Sequence, residues 1–134
     1  MANPNIAALT TIKGNTAYCV PSGTSATTSF TYDGTTTLTG MTPASGTVNK
    51  ITGIFVSNAT GSTVNATVAI GNNATFGSAT VTAYLAYTIP VPAGATLIVA
   101  DKTTDVYITE NQSVAVTSAT GSALTFAVCF EAIS

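Results

Sequence analysis

The sequence contains no histidine, no tryptophan and no arginine, and three lysines are its only cationic side chains. Without histidine, the commonest general base, the commonest zinc ligand and any Ser–His dyad are missing. Charged residues make up 6% of the chain, against about 25% in an average soluble domain. Because 46% of the residues are hydrophobic, disorder does not explain the shortage of charge. A neutral surface of Thr, Ser, Asn and Ala suits a protein that packs against other subunits.

The charge balance also excludes two kinds of partner. Nucleic acids and anionic membranes both require clustered cations, and a chain with three lysines and a net charge of −2 has no such cluster. No apolar run approaches the roughly 18 residues of a transmembrane helix. Residues 1–6 lack a basic region followed by an apolar run, so we expect no secretory signal and synthesis in the cytoplasm.

The two cysteines, Cys19 and Cys129, lie far apart in the sequence and form no Cys-x-x-Cys motif. In a reducing cytoplasm such residues normally stay reduced. We therefore expect two free thiols, with a disulfide as the alternative.

Short apolar runs closed by Pro, Gly, Asn or Asp recur along the chain, which is typical of consecutive antiparallel strands. No stretch keeps a helical period over three turns, and β-branched residues dominate. We expect one all-β domain over residues 1–134, an antiparallel, jelly-roll-like β-sandwich of about eight strands with an extended arm at residues 1–5. The candidate strand segments are residues 6–12, 17–20, 26–32, 35–41, 48–58, 64–70, 80–89, 97–99, 106–108, 114–116 and 124–133.

Three segments carry more detailed expectations. Residues 22–47 are the least regular, and Asp33-Gly34 predicts a hairpin there, with a long surface loop as the alternative. In residues 80–89 the odd positions from Val81 to Ile89 are all apolar. Pro90 and Pro92 cannot donate ladder hydrogen bonds, so strand pairing must stop there or the strand must lie at a sheet edge. In residues 124–133 one face should be core and the other should not. The expected core face of that last strand consists of Leu124, Phe126, Val128 and Phe130.

Side chains for chemistry are few. Glu110 with Asp101 or Asp105 is the local pair of carboxylates that glycoside cleavage or calcium binding would require. Each of the three lies in or beside a predicted turn, where Asp and Asn commonly bind the backbone, and we favour that interpretation. Aromatic residues could form a sugar platform, but Tyr84, Tyr87 and Tyr107 lie within predicted strands, where packing is the simpler explanation. We expect no catalytic residue, no metal and no cofactor.

Several short motifs, in a fixed order, are similar to those of small virion structural proteins of tailed phages that infect cyanobacteria and other marine bacteria. The matching segments are residues 1–6 (Met-Ala-Asn-Pro-Asn-Ile), 11–14 (Thr-Ile-Lys-Gly), 54–58 (Ile-Phe-Val-Ser-Asn), 91–97 (Val-Pro-Ala-Gly-Ala-Thr-Leu) and 128–134 (Val-Cys-Phe-Glu-Ala-Ile-Ser). The chain departs from the family at residues 110–112, where Glu-Asn-Gln replaces Glu-Gly-Asp, and at residues 26–43.

The resemblance implies a capsid decoration (cement) protein on the outer surface of the virion, with the major capsid protein as partner and no enzyme activity. Such proteins usually act as symmetric homo-oligomers, often trimers or dimers. We expect the arm, through Asn3, Pro4, Asn5 and Ile6, to add a strand to a neighbour's sheet edge. The alternative is a tail- or fibre-associated module that binds host-surface glycans.

Overall fold

The computed structural model describes residues 8–72 and 81–134, which form ten strands in two antiparallel sheets. The strands are β1 (Ile12–Cys19), β2 (Ser29–Tyr32), β3 (Thr36–Thr39), β4 (Val48–Asn58), β5 (Val64–Gly71), β6 (Val81–Val91), β7 (Thr96–Ala100), β8 (Val106–Ile108), β9 (Ser113–Ser118) and β10 (Leu124–Ile133). The all-β, sandwich-like architecture expected from the sequence is confirmed.

The two sheets differ in size. The larger has seven strands in the order β3-β2-β1-β10-β4-β7, with β8 pairing to β4 on the same side as β7; the smaller has the order β6-β5-β9. A jelly roll has eight strands in two Greek keys, so this seven-plus-three division does not confirm that subtype. In the described ranges we find no helix with the length and hydrophobicity of a membrane span.

Strand β10 lies at the centre of the larger sheet, between β1 and β4. Its predicted core face is confirmed, because Leu124, Phe126, Val128 and Phe130 are all buried. The alternate residues point to the outer face, where Thr125 is exposed. The period-2 alternation of a strand thus divides β10 between the core and the surface.

The inner faces of both sheets share one hydrophobic core. Strand β4 supplies Ile51, Ile54 and Val56 from the larger sheet, and strand β5 supplies Ala66 and Val68 from the smaller. The largest fully buried side chains are Phe30, Phe126, Met41, Ile51, Ile54, Ile108 and Leu124. Each such side chain contributes about 1.5–3 kcal/mol of hydrophobic stabilisation.

The hairpin expected within residues 22–47 is present as β2 and β3. Asp33 and Gly34 have φ values of 56° and 84°, and Tyr32 pairs with Thr36, so the loop has three residues. The chain then leaves β3 through Gly40, with φ at 64°. A Cβ atom at Gly40 would lie 2.6 Å from that of Ser113, so only glycine fits here without displacement.

The first strand was predicted in the wrong place. Gly14 and Asn15 do not end a strand, because they pair with Glu131 and Phe130 of β10 inside β1. The predicted segment 17–20 is the second half of the same strand. Residues 6 and 7 lie outside the described part of the chain. Pairing with a central strand therefore overrides the turn preference of a Gly-Asn pair.

The apolar odd positions of residues 80–89 do not form one buried face. Ala83, Tyr87 and Ile89 are exposed, whereas Ala86 is buried; the side chain of Val81 lies outside the described part. The register between β5 and β6 shifts three times, and each β-bulge inserts a residue and reverses the alternation. Of the two alternatives for Pro90, the structure has the edge, since β6 is the terminal strand of the smaller sheet and its pairing with β5 continues through Pro90 to Val91.

Truncation of the β10 core face should destabilise the whole protein. Phe126→Ala removes a fully buried ring and should lower the free energy of unfolding by about 3–5 kcal/mol. Urea denaturation followed by circular dichroism measures the change. The matched control is Thr125→Val, on the exposed face of the same strand, which should stay within about 0.5 kcal/mol of the parent. Equal losses in both variants would contradict the assignment of the two faces.

Candidate functional site

The carboxylates singled out in the sequence have separate local partners. The Asp101 carboxylate accepts hydrogen bonds from the backbone N–H and the hydroxyl of Thr103, which is the turn role we expected. Asp105 forms an ion pair with Lys50, with Nζ and Oδ2 3.3 Å apart. Both members of this pair are partly exposed, and exposed pairs contribute about 0–1 kcal/mol.

Glu110 lies in the turn before β9, where its Oε1 accepts a hydrogen bond from the backbone N–H of Gly46. Its carboxylate therefore joins two loops, and no contact connects it with Asp101 or Asp105. Within the ranges 8–72 and 81–134, no three Asp, Glu, Cys or His side chains are grouped as a metal would require.

The titration of these groups follows from their hydrogen bonds. A side-chain hydrogen bond from Thr103, followed by a backbone one, lowers the pKa of Asp101. Backbone hydrogen bonds from Thr36 and Thr35 lower the pKa of Asp33. The hydrogen bond and charge of Asp105 raise the pKa of Lys50. These groups stay ionised near neutral pH, whereas a carboxyl that acts as general acid needs a raised pKa.

Both cysteines are free thiols, as expected. Cys19 lies in the core, and burial raises the pKa of its thiol to about 11. Because the thiolate is the reactive form, Cys19 is unreactive at neutral pH. Cys129 lies on the outer face of β10, where its Sγ accepts a 3.6 Å hydrogen bond from the hydroxyl of Thr16.

An uncharged row of side chains crosses the outer face of the larger sheet. Tyr18 pairs with Ala127, Ala127 with Phe55, and Phe55 with Ile98. We call these four residues the apolar row. They occupy four adjacent strands, β1, β10, β4 and β7, so the row spans about 14 Å between the outer strand axes.

The apolar row is accessible to solvent. Ile98 is 60% exposed and Tyr18 44%, while Ala127 and Phe55 are half-buried. The ring of Phe55 lies over Gly53, where a Cβ atom would come within 2.9 Å of the ring. The glycine thereby lets a large ring lie flat on the sheet instead of projecting from it.

Charges on this outer face lie in two places, one of them at the end of the face that carries Lys50 and Glu131. Lys50 pairs in register with Glu131 and with Tyr107, two residue pairs beyond the position of Cys129. The Lys50–Asp105 ion pair lies at the same end. Asp101 and Lys102 line a depression beside Phe55, together with Gly53 and Cys129, so charged groups also border the apolar row on that side.

A second surface lies on the outer face of the smaller sheet. Tyr84 and Tyr87 of β6 have ring centroids 4.6 Å apart with their planes at 59°, and they are 52% and 64% exposed. They border a shallow concavity of about 250 Å³, which we call the tyrosine groove. Its other lining residues are Ala26, Thr67, Ala69, Ala115 and Thr117.

Bulges in β6 place the two tyrosines together. In a regular strand, residues three apart point to opposite faces. Here the β5–β6 register passes from Ala69↔Tyr84 to Val68↔Ala86 and then to Ala66↔Ile89. The single extra residue between Tyr84 and Ala86 brings Tyr87 onto the face of Tyr84. The second extra residue lies at Tyr87 and Thr88, where Thr88 takes a φ of 52°. The backbone N–H of Thr88 donates a 3.0 Å hydrogen bond to the hydroxyl of Thr67, which braces the second bulge.

A larger concavity, of about 520 Å³, lies beside β1, β2 and the loop that joins them. Its lining includes Tyr18, Ser25 and Thr31 and no carboxylate or lysine. Ala26 belongs to this concavity and to the tyrosine groove, so the two depressions adjoin.

The predicted interface residues Asn3, Pro4, Asn5 and Ile6 lie outside the described residues. The segment that follows them is anchored at the C terminus, because the backbone N–H groups of Thr10 and Thr11 both donate to the Ser134 carbonyl.

The packing role predicted for Tyr84, Tyr87 and Tyr107 is wrong, since all three are at least half exposed. Sequence alternation missed them because it assumes a strand without bulges.

Comparison with protein-family models, with curated proteins and with solved structures finds no match for this chain.

The brace on the second bulge can be tested. Thr67→Val preserves the shape of the side chain but removes the acceptor for the Thr88 N–H, so the free energy of unfolding should fall by about 0.5–1.5 kcal/mol. Nuclear Overhauser contacts between the Tyr84 and Tyr87 rings should weaken as well. The control is Thr117→Val, the cross-strand neighbour of Thr67, whose hydroxyl has no hydrogen-bond partner among the described residues. Unchanged ring contacts in Thr67→Val would show that the brace does not position Tyr87.

Proposed function

We propose that this chain is a phage virion structural protein, a capsid decoration protein that binds the outside of the head and stabilises the shell by bridging capsomers. The apolar row carries the proposal. The resemblance of the sequence to small virion proteins of tailed phages supplies the identity of the partner, the major capsid protein. Decoration would stabilise the shell because the protein binds the assembled state.

The chemistry of the larger sheet's outer face fits a protein partner. An exposed row of Tyr, Phe and Ile, flanked by Thr and Ser, resembles an interface core, where aromatic residues are enriched and charged residues depleted. Tyr18 and Phe55 supply large rings with little conformational entropy to lose on binding. The Lys50–Asp105 pair and Glu131 would lie at the rim, as would Asp101 and Lys102 beside Phe55. Charges at a rim fix orientation more than affinity.

The groups that the described residues present do not favour catalysis. Asp101, Asp105 and Glu110 have separate partners, whereas glycoside hydrolysis needs two facing carboxylates about 5–9.5 Å apart across a cleft. We therefore propose a structural role without enzyme activity.

A tail- or fibre-associated module that binds host-surface glycans is the second candidate function. Such a module needs a concave patch of aromatic or acidic residues, and the tyrosine groove supplies an aromatic one. Location of the protein on the tail instead of the shell, in image reconstructions of the particle, would favour this candidate.

The apolar row is expected to mediate head binding. Ile98→Asp places a carboxylate where contact would bury it, so affinity for undecorated expanded heads should fall at least about a hundredfold. Cosedimentation measures binding, and the temperature of head disruption measures the stabilisation. The control is Val20→Asp, a similarly exposed aliphatic residue outside the row, at 50% exposure against 60%. Purified parent protein that leaves such heads unbound and no more heat-resistant would overturn the proposed function.

The arm is expected to contribute to the same assembly. Deletion of residues 1–5 should weaken head binding or the homo-oligomer, because strand addition to a neighbour's sheet edge supplies backbone hydrogen bonds. Analytical ultracentrifugation and cosedimentation measure the two effects. A chain with residues 2–5 replaced by Gly-Ser-Gly-Ser separates the role of the side chains from that of arm length. Unchanged affinity and oligomeric state after deletion would remove the arm from the assembly.

A further inference from the structure

The tyrosine groove is not needed for attachment through the apolar row, because the two lie on the outer faces of different sheets. Tyr84 and Tyr87 are also not needed for the core, since more than half of each side chain is exposed. The rings nevertheless contact each other at a bulge that is braced by a hydrogen bond. Bulges often redirect a side chain at functional sites. The exposed pair of tyrosine rings is therefore a candidate ligand-binding site.

The charge of the groove limits the ligand. None of its seven lining residues is acidic or basic. Phosphate groups and single-stranded nucleic acids bind where cations line the site, so the groove does not fit them. A quaternary ammonium ion is attracted to aromatic faces, but no carboxylate lines the groove to balance its charge.

A neutral sugar ring is chemically complementary to the residues that line the groove. One face of a pyranose carries C–H groups that pack on an aromatic ring, and its edges carry hydroxyls that donate and accept hydrogen bonds. Tyr84 and Tyr87 supply the rings, and Thr67 and Thr117 supply hydroxyls on the floor. Ala69 and Ala115 leave the groove open, because their side chains are too small to fill it.

The size of the groove fits one or two sugar rings. Its volume of about 250 Å³ lies below the roughly 300–1,000 Å³ of pockets that enclose drug-sized ligands. A shallow groove of this kind would hold one or two rings of a longer oligosaccharide. The remaining rings would lie on the neighbouring protein surface. The adjoining 520 Å³ concavity, which shares Ala26, is also without carboxylate or lysine.

We propose that the tyrosine groove is a binding site for a neutral oligosaccharide, with one ring stacked on Tyr87 and Tyr84 and its hydroxyls facing Thr67 and Thr117. The bulges of β6 preorganise the tyrosines, so little side-chain entropy is lost on binding. The Tyr84–Tyr87 site lies apart from the apolar row, although the adjoining concavity reaches Tyr18 of that row. The site would let a decorated particle adhere to uncharged glycans. It would serve the same purpose in a tail-associated protein.

The test uses the full chain labelled with ¹⁵N and titrated with cellotriose, maltotriose and chitotriose to about 10 mM, so that a Kd of about 1 mM is measured. At least one trisaccharide should shift the amide signals of Thr67, Ala69, Ala115 and Thr117. Tyr87→Ala should weaken that binding at least about tenfold, while Tyr87→Phe retains it, since stacking requires the ring and not its hydroxyl.

The matched control is Tyr107→Ala, which removes a tyrosine of equal exposure to Tyr84, 52%, from the larger sheet. Binding should be unchanged in this variant, and thermal melts should be unchanged in all three. The proposal is overturned if no trisaccharide shifts the four amides, if Tyr107→Ala weakens binding as much as Tyr87→Ala, or if tetramethylammonium binds more tightly than every sugar. Head binding by Tyr87→Ala, measured in parallel, distinguishes this outcome from a failure of the decoration function.

Discussion

The pairing of β10 with β1 on one side and β4 on the other is the constraint on which the rest of the structure depends. It joins the two ends of the chain, since Cys19 pairs with Phe126 and Ile12 with Ile133. The larger sheet is therefore incomplete until the last residues are in place, and its contacts are long-range, which slows folding. The same pairing sets which residues of β1 and β4 face the core, because register fixes the face of every paired residue.

The register of β10 also builds the outer surface. Ala127, which points away from the core, brings Tyr18 and Phe55 into one row by pairing with both, and Ile98 extends the row through Phe55. A single residue slip of β10 would move its core face to this surface. The exposed apolar row and the buried core are thus two results of one hydrogen-bond register.

The smaller sheet is less regular than the larger one. Its edge strand β6 pairs on one side only and contains three register shifts, so its side chains do not alternate regularly. Bulges are tolerated at edges because a single ladder of hydrogen bonds is interrupted, and they protect an edge from unwanted strand pairing. Here they also place Tyr84 beside Tyr87 on a floor of small residues. The register shifts of β6 therefore give the smaller sheet an outer surface that a regularly alternating strand would not form.

The sequence by itself determined the all-β class, the strands β4, β5 and β7–β10, the β2–β3 hairpin and the core face of β10, because alternation and turn residues are local signals. It also determined the low charge and the turn role of Asp101. Tertiary structure decided that Gly14-Asn15 continue a strand, since β10 pairs with them. It decided the partners of the apolar row, which come from strands up to about a hundred residues apart, and the tyrosine groove, which depends on bulges in β6. Register and bulges are set by packing between distant segments, and no local pattern of side chains encodes them.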